Sequence, residues 1–511
     1  RRGRKETDHV AAGEQPAARP RYGNWQKPPS AGIAGLPFGQ TIGVLGALVV
    51  VVIVMQTSGP LIGAGALAIV GAAVWALRTR DRDGVNMIDR TRRRAGWWRT
   101  KRLGAQLYRS GPLSKVVPWG TCQLPGLLAA TRLHEFADSY GRPFAVVHMP
   151  TVNMCSVVLS TEPDGDALVD DDQVDQQVAR WGHWLATLAD QPALRGASVT
   201  VETAPDTGSR LRQEVMQNLD PAAPAFAGEV LDEILTTYPV GGSSIHCYVA
   251  LTFVLATSSG ARRSLEETVR DLASRLPSLT QRLEATGAGA VRPASAAELC
   301  QLVRTAYDPA AAALLDEAAA RGEVVEMDWS DVGPTAHEAG WSSYRHDSGL
   351  STTWLMSQAP RGAVTSRVLS GLLAPHPDIA RKRVTLLYRP IDPARAPEIV
   401  DADLRAASAG RGAGPTVSAT ARRSLAAAER TAEEEAAGAG LLEFGMLVTA
   451  TVMSNREHAD ARAAIDSLAG ASRIRVRPVY GSQDSAFAAA LPLGLNLPRF
   501  QRTAVRGGGV R

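Results

Sequence analysis

Nine histidines, four cysteines and five lysines are the side chains through which this 511-residue chain could do chemistry. Their spacing assembles no site. The lysines are Lys5, Lys27, Lys101, Lys115 and Lys382, and none follows a glycine loop that could cradle a phosphate. Without a G-x-x-x-x-G-K-[ST], the chain is not expected to hydrolyse ATP in the P-loop manner. There is no H-E-x-x-H to set two zinc ligands on one helix face, and no G-x-S-x-G nucleophile turn. Gly410-Arg-Gly-Ala-Gly414 lacks the strand and helix of a dinucleotide site and reads as linker. Cys122, Cys155, Cys247 and Cys300 form no C-x-x-C and fit buried thiols of a reducing compartment. His346-Asp347 and His376-Pro-Asp378 could join a site folded from distant segments, but loop polar residues are the simpler reading. Asp170–Asp172 and Glu433–Glu435 read as a helix start and a solvated face. The expectation is a protein that is not an enzyme, with no catalytic residues, no metal and no cofactor.

The elements around these residues are more informative. Residues 28–77 contain no Asp, Glu, Lys or Arg. Leu36 to Met55 and Pro60 to Leu77 are apolar, with the polar turn Gln56-Thr57-Ser58-Gly59 between them. At about 1.5 Å per residue, each run is long enough to cross a hydrocarbon core of roughly 30 Å. Two transmembrane helices joined by a tight turn are expected. Seven cations in residues 1–27 and ten between Arg78 and Arg102 flank them, each against three acids, while the turn carries no charge. The positive-inside rule then puts both termini in the cytoplasm, the location being the inner cell membrane. Gly39, Gly43 and Ala47 make one smooth face, and Ala64, Ala68, Ala72 and Ala76 another. Small residues at such spacing let helices approach closely in lipid, so these faces are candidates for packing on each other or on a partner's helix. In the basic segment that follows, Arg92, Arg93, Arg94, Trp97 and Trp98 are candidates for contact with anionic headgroups at the inner leaflet.

Beyond the flank the pattern turns α/β. Strands are expected at Phe144–Met149, Met154–Ser160, Ala197–Thr203, Ile245–Ala256, Leu350–Met356 and Arg383–Arg389, with a strictly alternating strand from Leu442 to Val452. Helices are expected at Asp170–Leu188, after the capping boxes Ser264–Glu267 and Ser295–Glu298, at Arg422–Ala437, and from Asn455 to Gly470. The fold class is α+β or α/β: ferredoxin-like βαβ modules with mixed or antiparallel sheets behind a two-helix transmembrane hairpin. The boundaries read as a disordered basic N-terminus (1–32), the hairpin (33–78), a juxtamembrane segment (79–120), two α/β modules (121–240 and 241–405), a linker with an exposed helix (406–440), a C-terminal βαβ unit (441–498) and a tail (499–511). Net charge is only +4 and gathers around the apolar runs, which speaks against sequence-specific nucleic-acid binding.

Three stretches carry a resemblance. The apolar hairpin with basic flanks resembles the PrgI-type inner-membrane proteins of Gram-positive conjugation machines. Leu107-Tyr-Arg-Ser-Gly-Pro-Leu113, Leu124-Pro-Gly-Leu-Leu128, Gly141-Arg-Pro-Phe-Ala145 and Val199-Thr-Val-Glu-Thr-Ala-Pro-Asp-Thr-Gly208 form the second. The third is Arg477 to Gly494. Together they resemble an actinobacterial family of integrating-conjugative-element membrane proteins, sometimes labelled EccE-like. Residues 120–498 are also similar in layout to the amino-terminal domain of TraC/TrbE/CagE-type conjugative ATPases, with Gln483, Ala486, Phe487, Leu491, Pro492 and Gly494 where such proteins lead into their motor. No motor follows here, so the resemblance implies a separate P-loop ATPase as partner, docked through Gln483, Phe487, Leu491 and Pro492. It implies a structural component of a conjugative, type IV-like transfer apparatus. An accessory of type VII secretion is the first alternative, and a membrane-bound enzyme with a site built from distant residues the second. The charge pattern has a direct test: single cysteines at Thr57 or Ser58 should label from outside the cell and cysteines at Lys27 or Asp83 only after permeabilisation. Cytoplasmic labelling at Thr57 would refute the two-span topology.

Overall fold

The computed structural model describes residues 20–23, 25, 38–79, 85–114, 120–163, 169–206, 208–220, 222–237, 243–257, 260–323, 325–360, 362–409 and 419–500. Most of the expected disordered N-terminus, residues 410–418 of the linker and the tail beyond 500 lie outside them. The chain is mixed α and β, with two apolar N-terminal helices and one large antiparallel sheet. The helices are Phe38–Ser58 and Pro60–Arg78, and both are long and apolar enough to span a membrane. Gly59, at φ +94°, takes the turn between them, a conformation open to glycine because it has no Cβ.

Thirteen strands occur among the described residues: β1 Leu107–Arg109, β2 Arg132–Ala137, β3 Pro143–Met149, β4 Met154–Glu162, β5 Leu194–Pro205, β6 Ser243–Val254, β7 Ala290–Pro293, β8 Ala336–Ala339, β9 Tyr344–His346, β10 Gly349–Gln358, β11 Arg381–Pro390, β12 Leu442–Val452 and β13 Arg475–Pro478. All join one sheet in the order β1-β8-β9-β10-β12-β11-β5-β6-β4-β3-β2, with β7 also on β4 and β13 also on β10. Every pairing is antiparallel.

This order contains a repeat. The run β5-β6-β4, with β7 on β4, recurs as β11-β12-β10, with β13 on β10. The register recurs as well: Pro293 ends β7 opposite Leu159, and Pro478 ends β13 opposite Trp354. Each unit has a helix between its first and second strands, Asp171–Thr187 and Ser370–Leu373. Each has another between its third and fourth, Leu265–Leu283 and His458–Ala471. Each carries two further helices between its second and third strands, Ser209–Gln217 with Ala225–Thr237 and Ala396–Ala409 with Ala419–Ala436. A boundary at 240/241 therefore falls inside a unit, because β6 inserts between β5 and β4. The two-module reading is corrected there: β6 belongs with the strands before it, and the segment 441–498 is half of the second unit.

Local sequence explains these elements. Ser264 and Glu267 form the full reciprocal cap of Leu265–Leu283, and Pro277 lies within that helix without ending it. Ser295 accepts from the Glu298 amide at the start of Ala296–Tyr307, but the Glu298 carboxylate turns away to Arg292 at 2.6 Å. Asn455 caps nothing; the helix begins at His458 after Glu457.

The sheet has two unlike faces. On one, Val157, Val199, Val249, Val384, Met446 and Val448 pack beneath the helices Asp171–Thr187, Leu265–Leu283 and His458–Ala471. The other is lined near its centre by hydroxyls paired straight across neighbouring strands: Ser351 with Thr451 at 2.7 Å, Thr353 with Thr449 at 2.9 Å, and Thr200 with Thr385 at 3.1 Å. The last pair sits on the junction of the units, where β5 meets β11. Two positions from it, buried Glu202 faces Arg383, and its carboxylate takes Arg381 at 2.8 Å and Arg383 at 3.0 Å. Burial alone would raise the Glu202 pKa, but the two guanidinium groups outweigh it and hold it at about 2. Glu202→Gln leaves two arginines facing a buried neutral group, so it should cost about 3–5 kcal/mol in urea unfolding of the detergent-solubilised chain. A loss under about 1 kcal/mol, the range of exposed pairs, would mean that water reaches the junction.

Candidate functional site

The hydroxyl face is covered by the last described part of the chain. The helix Gln483–Ala490 lies over β10, β12 and β11, and the run from Leu491 to Asn496 continues across β4, β6 and β5. The hydroxyls hold this run by its carbonyls. Thr385 donates to Ala490 O at 2.7 Å, Ser156 to Leu493 O at 2.7 Å, and Thr252 to Gly494 O at 2.6 Å. Asn496 Nδ2 donates to Arg195 O at 3.0 Å. Gly494 has φ +70°, and a Cβ there would stand 2.4 Å from Thr252 Oγ1. A side chain is therefore excluded twice, by conformation and by space.

Gln483, Phe487, Leu491 and Pro492 are buried in this arrangement. Gln483 completes a gap in the ladder beside β10: its Oε1 accepts from Thr353 N at 2.8 Å, and its Nε2 donates to Thr353 O and Val479 O. The Phe487 ring is enclosed by His346 at 4.7 Å and by Tyr307 and Tyr344 at 5.2 Å, with Arg383 at 5.6 Å. The expectation that these four residues dock a separate motor is corrected. Their apolar character is satisfied by their own sheet, in which all four are buried.

Around Phe487 lies a cluster that spacing alone did not assemble. His346 Nδ1 bonds Tyr307 O at 2.6 Å, and its Nε2 bonds Ser351 Oγ at 2.7 Å. Tyr344 OH bonds His337 Nδ1 at 2.7 Å. A serine bonded to a histidine whose far nitrogen is fixed by a carbonyl has the connectivity of an activated nucleophile. Here both His346 and Ser351 are fully buried, so the pair joins strands and reaches no substrate. Burial pushes the pKa of each histidine down to about 4. The hint in the sequence was the recurrence of His337, Tyr344 and His346 near a run of Ser and Thr.

The membrane-side candidates separate. Among the packing residues, Gly43, Ala64, Ala68 and Ala72 are exposed, while Ala47 and Ala76 are half-buried; the surroundings of Gly39 lie outside the described residues. The two helices instead bury Val51 and Gly63, and a Cβ at Gly63 would stand 2.6 Å from Met55 Cβ. Between these two helices the close approach is at Gly63, and the exposed small residues stay free for the other expectation, a partner's helix. In the helix Met87–Arg102, Arg92, Arg93, Arg94 and Trp98 are exposed, and Arg102 lies 3.3 Å over the Trp98 ring. Trp97 turns the other way. Its ring stands 6.1 Å from Trp341, which stacks on Tyr480 at 5.5 Å, and it packs near Gly481. Trp97 therefore anchors the helix to the sheet domain and is withdrawn from the membrane-facing set. On the other flank, Tyr22 and Val364 exchange backbone hydrogen bonds at 2.9 and 2.8 Å.

A family model described as a domain of unknown function, DUF8461, matches residues 29–89, the span of both apolar helices and the start of the basic one. No curated protein matches the chain.

The histidine cluster makes stability depend on pH. In the unfolded chain these histidines titrate near 6.5, and in the fold near 4, so the unfolded state binds more protons between those values. Their contribution is complete above pH 6.5 and is lost as pH falls toward 4. Melting temperature should fall between pH 7.5 and 5, and His346→Gln should melt lower at pH 7.5 with a shallower pH slope. A slope unchanged by the substitution would remove His346 from this role.

Proposed function

We propose that the protein is a non-enzymatic, membrane-anchored structural component of a bacterial transfer apparatus of the conjugative, type IV-like kind. The observation that carries the anchoring is the attachment of both flanks of the apolar pair to one body. Behind the second helix, Trp97 packs on Trp341 and β1 forms an end of the sheet. Ahead of the first, Tyr22 pairs with Val364. A chain that enters and leaves from one side crosses an even number of times, which supports two spans forming a hairpin. The cations on both flanks support the cytoplasmic side for that body.

The body suits a scaffold. Leaving aside the helix pair inserted between its second and third strands, each repeated unit follows the β-α-β-β-α-β order of a ferredoxin-like fold, and we read the domain as two such units joined edge to edge. Eleven strands in one path, at about 4.8 Å each, give roughly 50 Å of sheet. The basic helix faces the membrane with Arg92, Arg93, Arg94 and Trp98, a composition suited to anionic headgroups. The assignment to a conjugative apparatus rests on the resemblance of the apolar hairpin and of the segments between Leu107 and Gly494. A separate P-loop ATPase stays in the proposal as a partner, contacting surfaces other than Gln483 to Pro492.

Affinity purification of the cross-linked full chain from membranes tests this reading. A conjugative-type P-loop ATPase is the expected partner, with the bait resisting extraction by alkaline carbonate. Recovery of an ESX-type motor would move the protein to type VII secretion, and release by carbonate would refute the anchor.

A further inference from the structure

Where the Tyr22–Val364 bridge forms, three arginines from distant segments converge on a cleft of about 530 Å³. Arg21 arrives with the N-terminal segment, Arg367 with the stretch after β10, and Arg473 with the turn after the helix His458–Ala471. Thr365, Ser370 and Ser472 contribute hydroxyls to the lining, which includes no carboxylate. Among the described residues, the Thr365 and Ser472 hydroxyls make no hydrogen bond, whereas Ser370 donates to Arg367 O. Behind the cleft, Arg367 pairs with Asp171 at 3.1 Å, which leaves the charges of Arg21 and Arg473 uncompensated by the lining. Arg473 reaches Ala363 O at 3.5 Å.

Arg473 has a second peculiarity. It occupies the position after a helix end at φ +56°, where the left-handed backbone favours glycine. Its amide donates to Gly470 O, and the next amide, of Ile474, donates to Ala469 O, which closes the helix end. A non-glycine residue held there is strained, and such strain persists where surrounding structure or function requires the side chain.

We propose that this cleft binds a phosphate-bearing anion, with Arg21, Arg367 and Arg473 as its cationic contacts and Thr365 and Ser472 as hydroxyl donors. Guanidinium groups match phosphate geometry, and three from separate segments give a ligand something to hold together. Free phosphate and a phospholipid headgroup share this chemistry. The site itself does not depend on the transfer-apparatus reading, and only its lipid source depends on the membrane anchor. Because Arg21 is delivered by the Tyr22–Val364 bridge, binding also fastens the segment that leads into the first apolar helix.

The test uses the full chain, in detergent with inorganic phosphate against chloride at matched ionic strength, and in nanodiscs of phosphatidylglycerol against phosphatidylcholine. Melting temperature is the readout. Phosphate should raise it for the wild type, and Arg21→Gln and Arg473→Gly should each raise the half-saturating concentration about tenfold, as loss of a charge-assisted contact implies. Arg473→Gly relieves the backbone strain, so it should melt no lower than wild type without phosphate. A rise in phosphatidylglycerol discs alone, lost in both variants, supports the proposal with the headgroup as source. No rise in either arm, or a rise equal in wild type and variants, overturns it. If Arg473→Gly binds like wild type, the arginine serves only the helix end and the proposal fails.

Discussion

The fold depends on one strand pair. β5 and β11 are each the outer strand of a repeated unit, and each would otherwise present a row of open backbone groups. Their pairing, centred on Thr200 opposite Thr385, turns two small sheets into one. The junction is not symmetric in chemistry. On one side of the threonine pair Glu202 faces Arg383, and on the other Ser198 faces Leu387. A buried carboxylate between two guanidinium groups tolerates little displacement, since any slip strands a charge in a medium of low dielectric. It therefore fixes the register of the two units as well as their contact.

Much of this was legible in the sequence, and what escaped has a physical reason. The apolar pair, the alternating strand from Leu442 to Val452 and the Ser264–Glu267 cap were all plain, because each depends on residues within a few positions. Strand order was not, since β5 and β11 are joined by partners some 180 residues apart, as in Thr200 and Thr385. The burial of the hydroxyl face is a second such case. Thr449 and Thr451 alternate with apolar residues and Ser351-Thr352-Thr353 is polar throughout, patterns that denote a wet face, yet all are buried, beneath Gln483–Ala490 and its neighbours on the hydroxyl side. Paired hydroxyls satisfy one another, so the face can be covered.

The candidate sites were legible in type more than in place. An apolar segment announces that it must be covered, and Phe487 and Leu491 are covered by their own sheet. Trp97 and Trp98 were read together, but successive residues of a helix point about 100° apart, so two neighbours seldom serve one surface. Arg21, Arg367 and Arg473 carried no sign of kinship, because only the Tyr22–Val364 bridge and the turn at Arg473 bring them to one cleft.

The covering of the hydroxyl face by the last described segment also sets an order of events during synthesis. Leu128, Val147 and Tyr307 share a core with Phe487, Leu491 and Leu493. Hundreds of residues must therefore leave the ribosome before that core can close, and the contacts that close it are among the longest-range in the chain. The two apolar helices emerge before any strand of the sheet. If they enter the bilayer as they emerge, the half-built sheet waits at the membrane with its hydroxyl side open, tethered and apart from other unfinished copies. Long-range closure of this kind is slow and exposes sticky intermediates. Early tethering shortens the list of neighbours with which such an intermediate can go astray.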